Sequence, residues 1–420
     1  MNSPLRKKAA DIVRRVEQGA YTNLLLNQAI NHQDWDTRDK ALLTKIVKGT
    51  LQWKTRLDAA ISPHVDSGIK SLSPDILSVL RTAAYQLLFL DKVPDHAVIN
   101  ESVELVKNSE SKKASGLVNA VLRRVAENKE SFKQESLANA SLEDMAIALS
   151  HPEWLVKKWI EELGEENAIA LMEQNNEPWP LCIRTNTLKI STEELRKNLA
   201  EAEFRIEPCK YDPDCSILHG VSGRKSIRAL PGFTERHFYV QDESSSLVTR
   251  ILNPMPGSSV IDLCSSPGGK TASLALLMQN KGKITAVDLT DKKNKIVKDK
   301  CSSLGIQIVE TLTADATTVK LEPADYVLVD APCSGLGVLG RKPEIRWNRS
   351  QNDIEELTTL QTAILQNAAY LLKSGGKLVY STCTLLQAEN QKIIEHFLEN
   401  PEFKSIEVEQ KIFPEIRIFT

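Results

Sequence analysis

Apolar residues recur at helical spacing through the first 126 or so residues. Ala9, Ile12, Val13 and Val16 form one stripe; Leu42, Leu43, Ile46 and Val47 form another. Ser73, Pro74 and Asp75 supply an N-cap, a first-turn proline and a first-turn acid ahead of Ile76, Leu80, Ala83, Ala84 and Leu87. The period returns at Ala114, Leu117, Val118, Val121, Leu122 and Val125. No strand-like alternation interrupts these segments, which predicts an all-α bundle over 1–135.

The polar stretch 127–144 reads as a linker with some helical character. After it come a helix carrying Leu155, Val156, Trp159, Ile160 and Leu163, a strand at 181–187, a helix opened by the capping box Ser191 to Glu194, and a strand at 204–208. Together they predict a small α+β subdomain over 150–237. From 238 to 420 strands and helices alternate, the pattern of an α/β Rossmann-like domain with a mostly parallel sheet covered on both faces. Strands are expected at 258–264, 283–289, 306–312, 325–331 and 377–383, with helices near 271–280, 292–304 and 352–372. Gly375 and Gly376 are expected to end the last long helix.

A chain of 420 residues exceeds one ordinary core and suits this multidomain division. With 41% hydrophobic and 26% charged residues and no Pro/Gly/Ser-dominated tract, the disordered and fibrous classes are excluded. No apolar run approaches the roughly 18 residues of a membrane span, and no signal-peptide core follows the first basic residues. A cytoplasmic chain with no membrane partner is expected. The formal net charge is −2, so a field attracting nucleic acid must come from local clusters. Three are available: Lys112, Lys113, Arg123 and Arg124; Arg224, Lys225 and Arg228; and Arg341, Lys342 and Arg346. Each also reads as ordinary solvated surface. The seven cysteines are odd in number and lack CxxC pairing, which fits neither a disulfide framework nor a zinc site, and no metal is expected. Such thiols are either core residues or reactive groups.

Placement separates those two readings. In VIDLCSSPGGKT (260–271) a buried strand runs into a glycine loop and then a helix. Gly268 and Gly269 would let backbone approach a ligand, and the helix start offers unpaired N–H groups, so a nucleotide-type cofactor is expected here. The spacing fits neither a GxxxxGK[ST] loop nor GxGxxG. Asp288 ends the second strand about 20 residues on, where a doubly wound fold places an acid for ribose hydroxyls, and Asp315 follows the third strand near an adenine edge. Either aspartate also reads as a helix N-cap.

VLVDAPCSG (327–335) and KLVYSTCT (377–384) each place a cysteine at or just beyond a strand's carboxyl end, the ligand crevice of an open α/β sheet. Two thiols there suit cytosine methylation, because carbon 5 of cytosine is a poor nucleophile until a thiolate adds to carbon 6. Asp330 is placed to hydrogen-bond the cytosine edge or a cofactor amine.

DLCSSPGGKT, VDAPCSG and YSTCT together resemble the RNA 5-methylcytosine methyltransferases of the RsmB/NSUN group, and the helical front end is similar to the NusB-like domain of its bacterial members. The resemblance covers nearly the whole chain. It implies a class I methyltransferase domain using S-adenosyl-L-methionine, Cys383 as nucleophile and Cys333 as the residue assisting release. It further implies that Cys264, Ser265, Ser266, Pro267, Gly268, Gly269 and Lys270 bind the cofactor with Asp288, Asp315 and Asp330, and that Lys270 also reaches the cytosine. The segment 238–246 would lead into the methyltransferase sheet, and 341–347 would approach RNA. The implied substrate is one cytosine of 16S ribosomal RNA, position 967 in standard rRNA numbering, in free RNA or an assembling small subunit. The helical front and the α+β subdomain would bind RNA, and the chain would act as a monomer.

Three positions depart from the family pattern. Ser265 and Ser266 stand where alanines are usual, and no proline precedes Glu389 and Asn390. The closing KIFPEIRIFT lacks the family's DGFF-type final strand, so a sheet short by one strand is expected. Two other functions fit part of the pattern: a non-catalytic NusB-like RNA-binding protein, which would need neither cysteine, and a DNA cytosine methyltransferase, whose Pro-Cys motif matches Pro332 and Cys333, although the STC cysteine and the two RNA-type accessory domains argue against DNA.

Overall fold

The computed structural model describes residues 4–32, 35–109, 111–130, 132, 137, 140–220 and 227–406. The chain divides into two compact units, 1–178 with 338–349 and 179–337 with 350–420.

The first unit is helical: α1 (Pro4–Glu17), α2 (Thr22–His32), α3 (Thr37–Gln52), α4 (Lys54–Ile61), α5 (Pro74–Phe89), α6 (Asp95–Lys107), α7 (Ser115–Glu127), α8 (Leu142–Ala148), α9 (Glu153–Leu163) and α10 (Glu165–Asn176). Apart from Leu117, which is exposed, the stripes seen in the sequence form one core, in which Leu80, Ala83, Ala84 and Leu87 of α5 meet Ile12, Val13, Ile46, Val47, Val118 and Leu122. Ser73 caps α5 as its sequence predicts, its hydroxyl accepting the Ile76 N–H. The linker ends in a further helix because Ser141 and Asp144 form a capping box at the start of α8. Lys112, Lys113, Arg123 and Arg124 are all exposed at and just before α7.

The segment 338–349 belongs to this helical unit, which alters one expectation. Of the late basic cluster, Lys342 is exposed, but Arg346 is fully buried in a short 3₁₀ turn (Pro343–Trp347). Arg346 Nη1 donates to the carbonyls of Ser150 (2.8 Å) and Gln52 (3.3 Å) and to Asn176 Oδ1 (3.1 Å), so it cannot also face RNA. Arg224 and Lys225 lie outside the described residues, and Arg228 sits in a three-residue 3₁₀ turn.

The second unit holds two sheets. The smaller is antiparallel, in the order β2 (Arg205–Pro208), β3 (Cys215–His219), β1 (Leu181–Thr185), β4 (Phe238–Val240), with α11 (Thr192–Glu201) packed on it. Phe238–Val240 thus pairs with Ile183–Thr185, and the chain then enters α12 (Glu243–Leu252). The larger sheet is parallel, ordered β7 (Val309–Thr313), β6 (Lys283–Asp288), β5 (Ser259–Leu263), β8 (Ala324–Asp330), β9 (Leu372–Ser381). Its alternate side chains feed two cores. Val260, Ala286 and Leu328 pack with α12, α13 (Gly269–Leu277) and α14 (Asp291–Leu304); Ile261, Val287 and Val327 pack with α15 (Gln351–Tyr370) and α16 (Gln391–Phe397). This is the Rossmann-like layering expected.

Gly375 and Gly376 do not end α15, which stops at Tyr370. They lie in an irregular stretch of β9, whose register on β8 jumps from Ala324↔Leu372 to Tyr326↔Lys377. The extra residues must bulge, and Gly375 takes the left-handed φ of +76° this requires. The closing residues 407–420, where a missing final strand was expected, lie outside the described residues; among those described, β9 is one edge of the sheet. Also among them, no helix is long and apolar enough to cross a membrane.

Candidate active site

Strand order reverses about β5, which has β6 on one side and β8 on the other, so a crevice opens at the carboxyl ends of β5 and β8. The chain leaves β5 through Cys264 at φ +63° and turns into α13 through Gly268 at φ +88°. A Cβ on Gly268 would stand 3.1 Å from the Val297 Cα, so only glycine allows this loop to lie on α14. The Gly268 N–H donates to the Ser265 carbonyl at 2.8 Å, closing the turn.

Asp288 ends β6 beside this loop. One carboxylate oxygen accepts the Ser266 N–H (2.9 Å), and the other accepts the Leu289 N–H (2.7 Å) and the Lys293 ammonium (3.0 Å). Asp315, two residues past β7, accepts the N–H (2.8 Å) and hydroxyl (2.7 Å) of Thr317, which hold its carboxyl below the ordinary range. Neither acid is a helix N-cap: Thr290 caps α14, and Asp315 closes a turn that no helix follows. Asp330, at the end of β8, pairs with Lys270 at 2.7 Å and accepts the Ser381 hydroxyl at 3.1 Å.

Several buried polar atoms around the loop lack a protein partner: Ser265 Oγ, Asp262 Oδ1 and Gln241 Nε2. Gln241 Nε2 lies 3.7 Å from where a Cβ on Gly269 would be. Orphaned donors and acceptors beside a glycine that admits close approach fit a polar ligand. Asp262 is fully buried, accepts the Thr271 hydroxyl (2.6 Å), and burial pushes its pKa up to about 7.

The seven thiols sort by environment. Cys182, Cys209, Cys215 and Cys301 are buried, the core reading of a cysteine. Cys264 is half-buried, and burial, reinforced by the charges of Asp288, Asp262 and Asp330, pushes its thiol up to about 12, so it is not a nucleophile at neutral pH. Cys333 is half-buried and Cys383 is exposed, with their sulfurs 3.1 Å apart. The Cys383 N–H also donates to Cys333 Sγ at 3.2 Å. Hydrogen bonding to Cys383, then burial, then the neighbouring thiolate charge all raise the Cys333 pKa. An apolar groove of about 470 Å³ runs along β9, lined by Leu247, Leu378, Tyr380 and Phe397 among others, but neither thiol lines it.

Sequence reading missed the groups behind the two cysteines. Ser334, Gln361, Thr384 and Glu389 are buried and joined by hydrogen bonds. A signal existed for Gln361, which occupies a position in phase with Ile354, Ile364, Leu365 and Ala368 on the buried face of α15. A polar residue on an apolar stripe calls for a partner.

Models of three families match the chain: NusB at residues 3–127, the ferredoxin-like domain of RsmF/B-like methyltransferases at 151–222, and the 16S rRNA methyltransferase RsmB/F at 249–416. "Probable ribosomal RNA small subunit methyltransferase B" of Bacillus subtilis (strain 168) is 36% identical over 99% of this chain and 93% of its own length. "Ribosomal RNA small subunit methyltransferase B" of Pseudomonas putida is 34% identical over 86% of this chain and 82% of its own length. The crystal structure of PH0851 shares 29% identity and a TM-score of 0.79, covering 95% of this chain and 90% of that one. The chain therefore belongs to the RsmB/F family of 16S rRNA methyltransferases, with a NusB-family domain at its front.

Proposed function

We propose that this chain methylates carbon 5 of a cytosine in 16S ribosomal RNA, at position 967, through a covalent bond between Cys383 and carbon 6 of the base. The observation that carries this reading is the thiol pair: one exposed sulfur at the strand-end crevice, 3.1 Å from a second, half-buried sulfur.

Cys383, as thiolate, adds to carbon 6 of cytosine and drives electron density onto carbon 5. The stretch Cys264–Lys270 with Asp288 and Asp315 would hold S-adenosyl-L-methionine, which would supply the electrophilic methyl group for carbon 5. Asp330, paired with Lys270 and oriented by Ser381, hydrogen-bonds the base edge or the cofactor amine, and Lys270 also reaches the cytosine. Once Cys383 is bonded to carbon 6 its charge no longer opposes ionisation of Cys333, which passes its proton to solvent and, as thiolate, takes the carbon 5 proton; the electron pair of that C–H bond re-forms the 5,6 double bond, and Cys383 leaves as thiolate. The exposed basic residues of α7 support an RNA-contacting role for the helical front, and the α+β subdomain is assigned the same role. The protein would work as a monomer in the cytoplasm, on free rRNA or an assembling small subunit.

The test is transfer of a labelled methyl group to 16S rRNA, with bisulfite mapping of rRNA from cells with and without the gene. Loss of one 5-methylcytosine at position 967 is expected. An unchanged pattern in cells lacking the gene would remove the substrate, and no label transferred to any RNA would remove the activity.

A further inference from the structure

Behind the two thiols lies a carboxylate that the proposed chemistry does not use. Glu389 is fully buried, and among the described residues its carboxylate meets Ser334 and Gln361 rather than a lysine, arginine or histidine. Its charge is balanced by hydrogen-bond donors alone, an expensive arrangement unless each is well placed. Oε1 accepts the Ser334 N–H at 2.8 Å and a Gln361 Nε2 proton at 2.9 Å, while Oε2 accepts the Ser334 hydroxyl at 2.5 Å. The second Gln361 proton goes to the Pro332 carbonyl at 2.9 Å.

These bonds join the two cysteine loops. Ser334 follows Cys333, and its Oγ lies 2.9 Å from the hydroxyl of Thr384, which follows Cys383. A serine hydroxyl has one proton, and the carboxylate takes it, so Thr384 must donate to Ser334. Donation then runs one way, from Thr384 through Ser334 to Glu389. Flipping the Gln361 amide would set its oxygen against the carboxylate and the Pro332 carbonyl, so its orientation is fixed too. On the other flank, Asn390 closes the Cys383 loop, its Oδ1 accepting the Thr382 hydroxyl (2.6 Å) and its Nδ2 donating to the Leu386 (2.9 Å) and Thr384 (3.1 Å) carbonyls.

We propose that Glu389 is a positioning residue: through Ser334 and Gln361 it fixes the Cys333 loop against the Cys383 loop and sets the gap across which the two thiols work. This rests on the two-thiol chemistry proposed above, but the gap itself can be measured without any RNA. Diamide accepts two electrons and two protons from a thiol pair, leaving a disulfide and the reduced hydrazine, and the rate reports how well the pair is held. Peptide mapping separates the Cys333–Cys383 product from Cys182–Cys209, whose sulfurs lie 3.3 Å apart in the same unit.

In Glu389→Gln an amide N–H₂ must face Ser334 or Gln361 donors. Cys333–Cys383 disulfide formation is expected to slow at least tenfold, while Cys383 alkylation and S-adenosyl-L-methionine affinity stay within about twofold. Methyl transfer should fall roughly 100-fold, the cost of a misplacement near 1 Å. Glu389→Asp, which keeps the charge, should recover part of both rates. Should Glu389→Gln not fold, Ser334→Ala tests the same link, because it removes the hydroxyl and keeps the backbone donor. Unchanged disulfide formation in both variants, or a loss that follows global melting and equal changes at every thiol, overturns the proposal. A parent protein that forms the disulfide rapidly yet methylates no RNA would instead remove the function and leave the positioning role standing.

Discussion

Cys333 Sγ stands 3.1 Å from Cys383 Sγ, and the sulfur of Cys333 also accepts the Cys383 N–H. Two thiols this close cannot ionise independently, since one negative charge opposes the second. Cys333 is the more buried, and the contact with Cys383 together with burial raises its pKa, so the two thiols are not equivalent. In the proposed chemistry that asymmetry divides the pair into Cys383, which attacks carbon 6, and Cys333, which takes the carbon 5 proton.

The split predicts different failures. Cys383→Ser should reduce methyl transfer by at least about 1,000-fold, because an alkoxide is not accessible near neutral pH. Cys333→Ala should retain attack and lose release, leaving a covalent protein–RNA adduct on a denaturing gel. An adduct that requires Cys333 and survives loss of Cys383 reverses the assignment.

Gly337 places a second constraint on the Cys383 loop. Its N–H donates to the Cys383 carbonyl at 2.9 Å, and a Cβ would stand 2.9 Å from that same oxygen. Backbone cannot move aside as a side chain can, so Gly337→Ala must shift the Cys383 loop. The expected cost is about 1–3 kcal/mol in denaturant unfolding, with a 10- to 100-fold loss of turnover. Gly375→Ala separates the two effects: the left-handed φ of +76° carries strain, but open space surrounds the position, so about 1 kcal/mol of stability and no turnover should be lost. Equal turnover losses in the two variants would remove the steric argument.

What the sequence revealed depended on the range of the forces involved. Strands β5, β6, β8 and β9 lie within a residue or two of their expected carboxyl ends, because buried apolar runs bounded by turns are a local signal. Strand β7 was expected from 306 and begins at Val309; Ile306 is buried, but it packs in the turn leaving α14. The paired aspartate and cysteine positions follow from strand ends and were likewise visible. Gln361 showed only as a polar residue on an apolar stripe and Glu389 only as a motif position; their link could not be read, because their partners are set by contacts 28 and 55 residues away that no period encodes. Arg346 misled for the same reason: a basic triplet in sequence contains one side chain that folding removes from solvent.

That arginine sets a stability prediction for the helical unit. No carboxylate lies within ion-pair distance of Arg346 among the described residues, and burial pushes its pKa down to about 9. Its charge also helps to drive the pKa of buried His151 well below the usual range, after burial itself. Arg346→Ala would strand the Ser150 and Gln52 carbonyls and open a cavity, costing roughly 3–5 kcal/mol in denaturant unfolding. Arg346→Met fills much of that volume and removes a charge that is costly to bury, so it should cost less than half as much. A methionine variant as unstable as the alanine one would show that the carbonyl bonds, and not the packing, dominate.

Asp262 gives the pH dependence its sign. In the unfolded chain it releases its proton near pH 4, whereas in the fold burial holds the proton until about 7, against the weaker effect of Thr271. The surrounding charges are Asp330 and Asp288, which raise its pKa, and Lys270, which lowers it. Between those two pH values the folded state binds one proton more than the unfolded state, so this group's contribution to stability falls as pH rises and levels off above about 7. A shift of roughly three units corresponds to about 4 kcal/mol across that window. Asp262→Asn keeps an acceptor for the Thr271 hydroxyl and cannot titrate. Its unfolding free energy should therefore decline less than the parent's between pH 5 and 7, and the two curves should run parallel above pH 8. Parallel curves through the whole range would mean that Asp262 is already ionised at pH 5 and that another group carries the dependence.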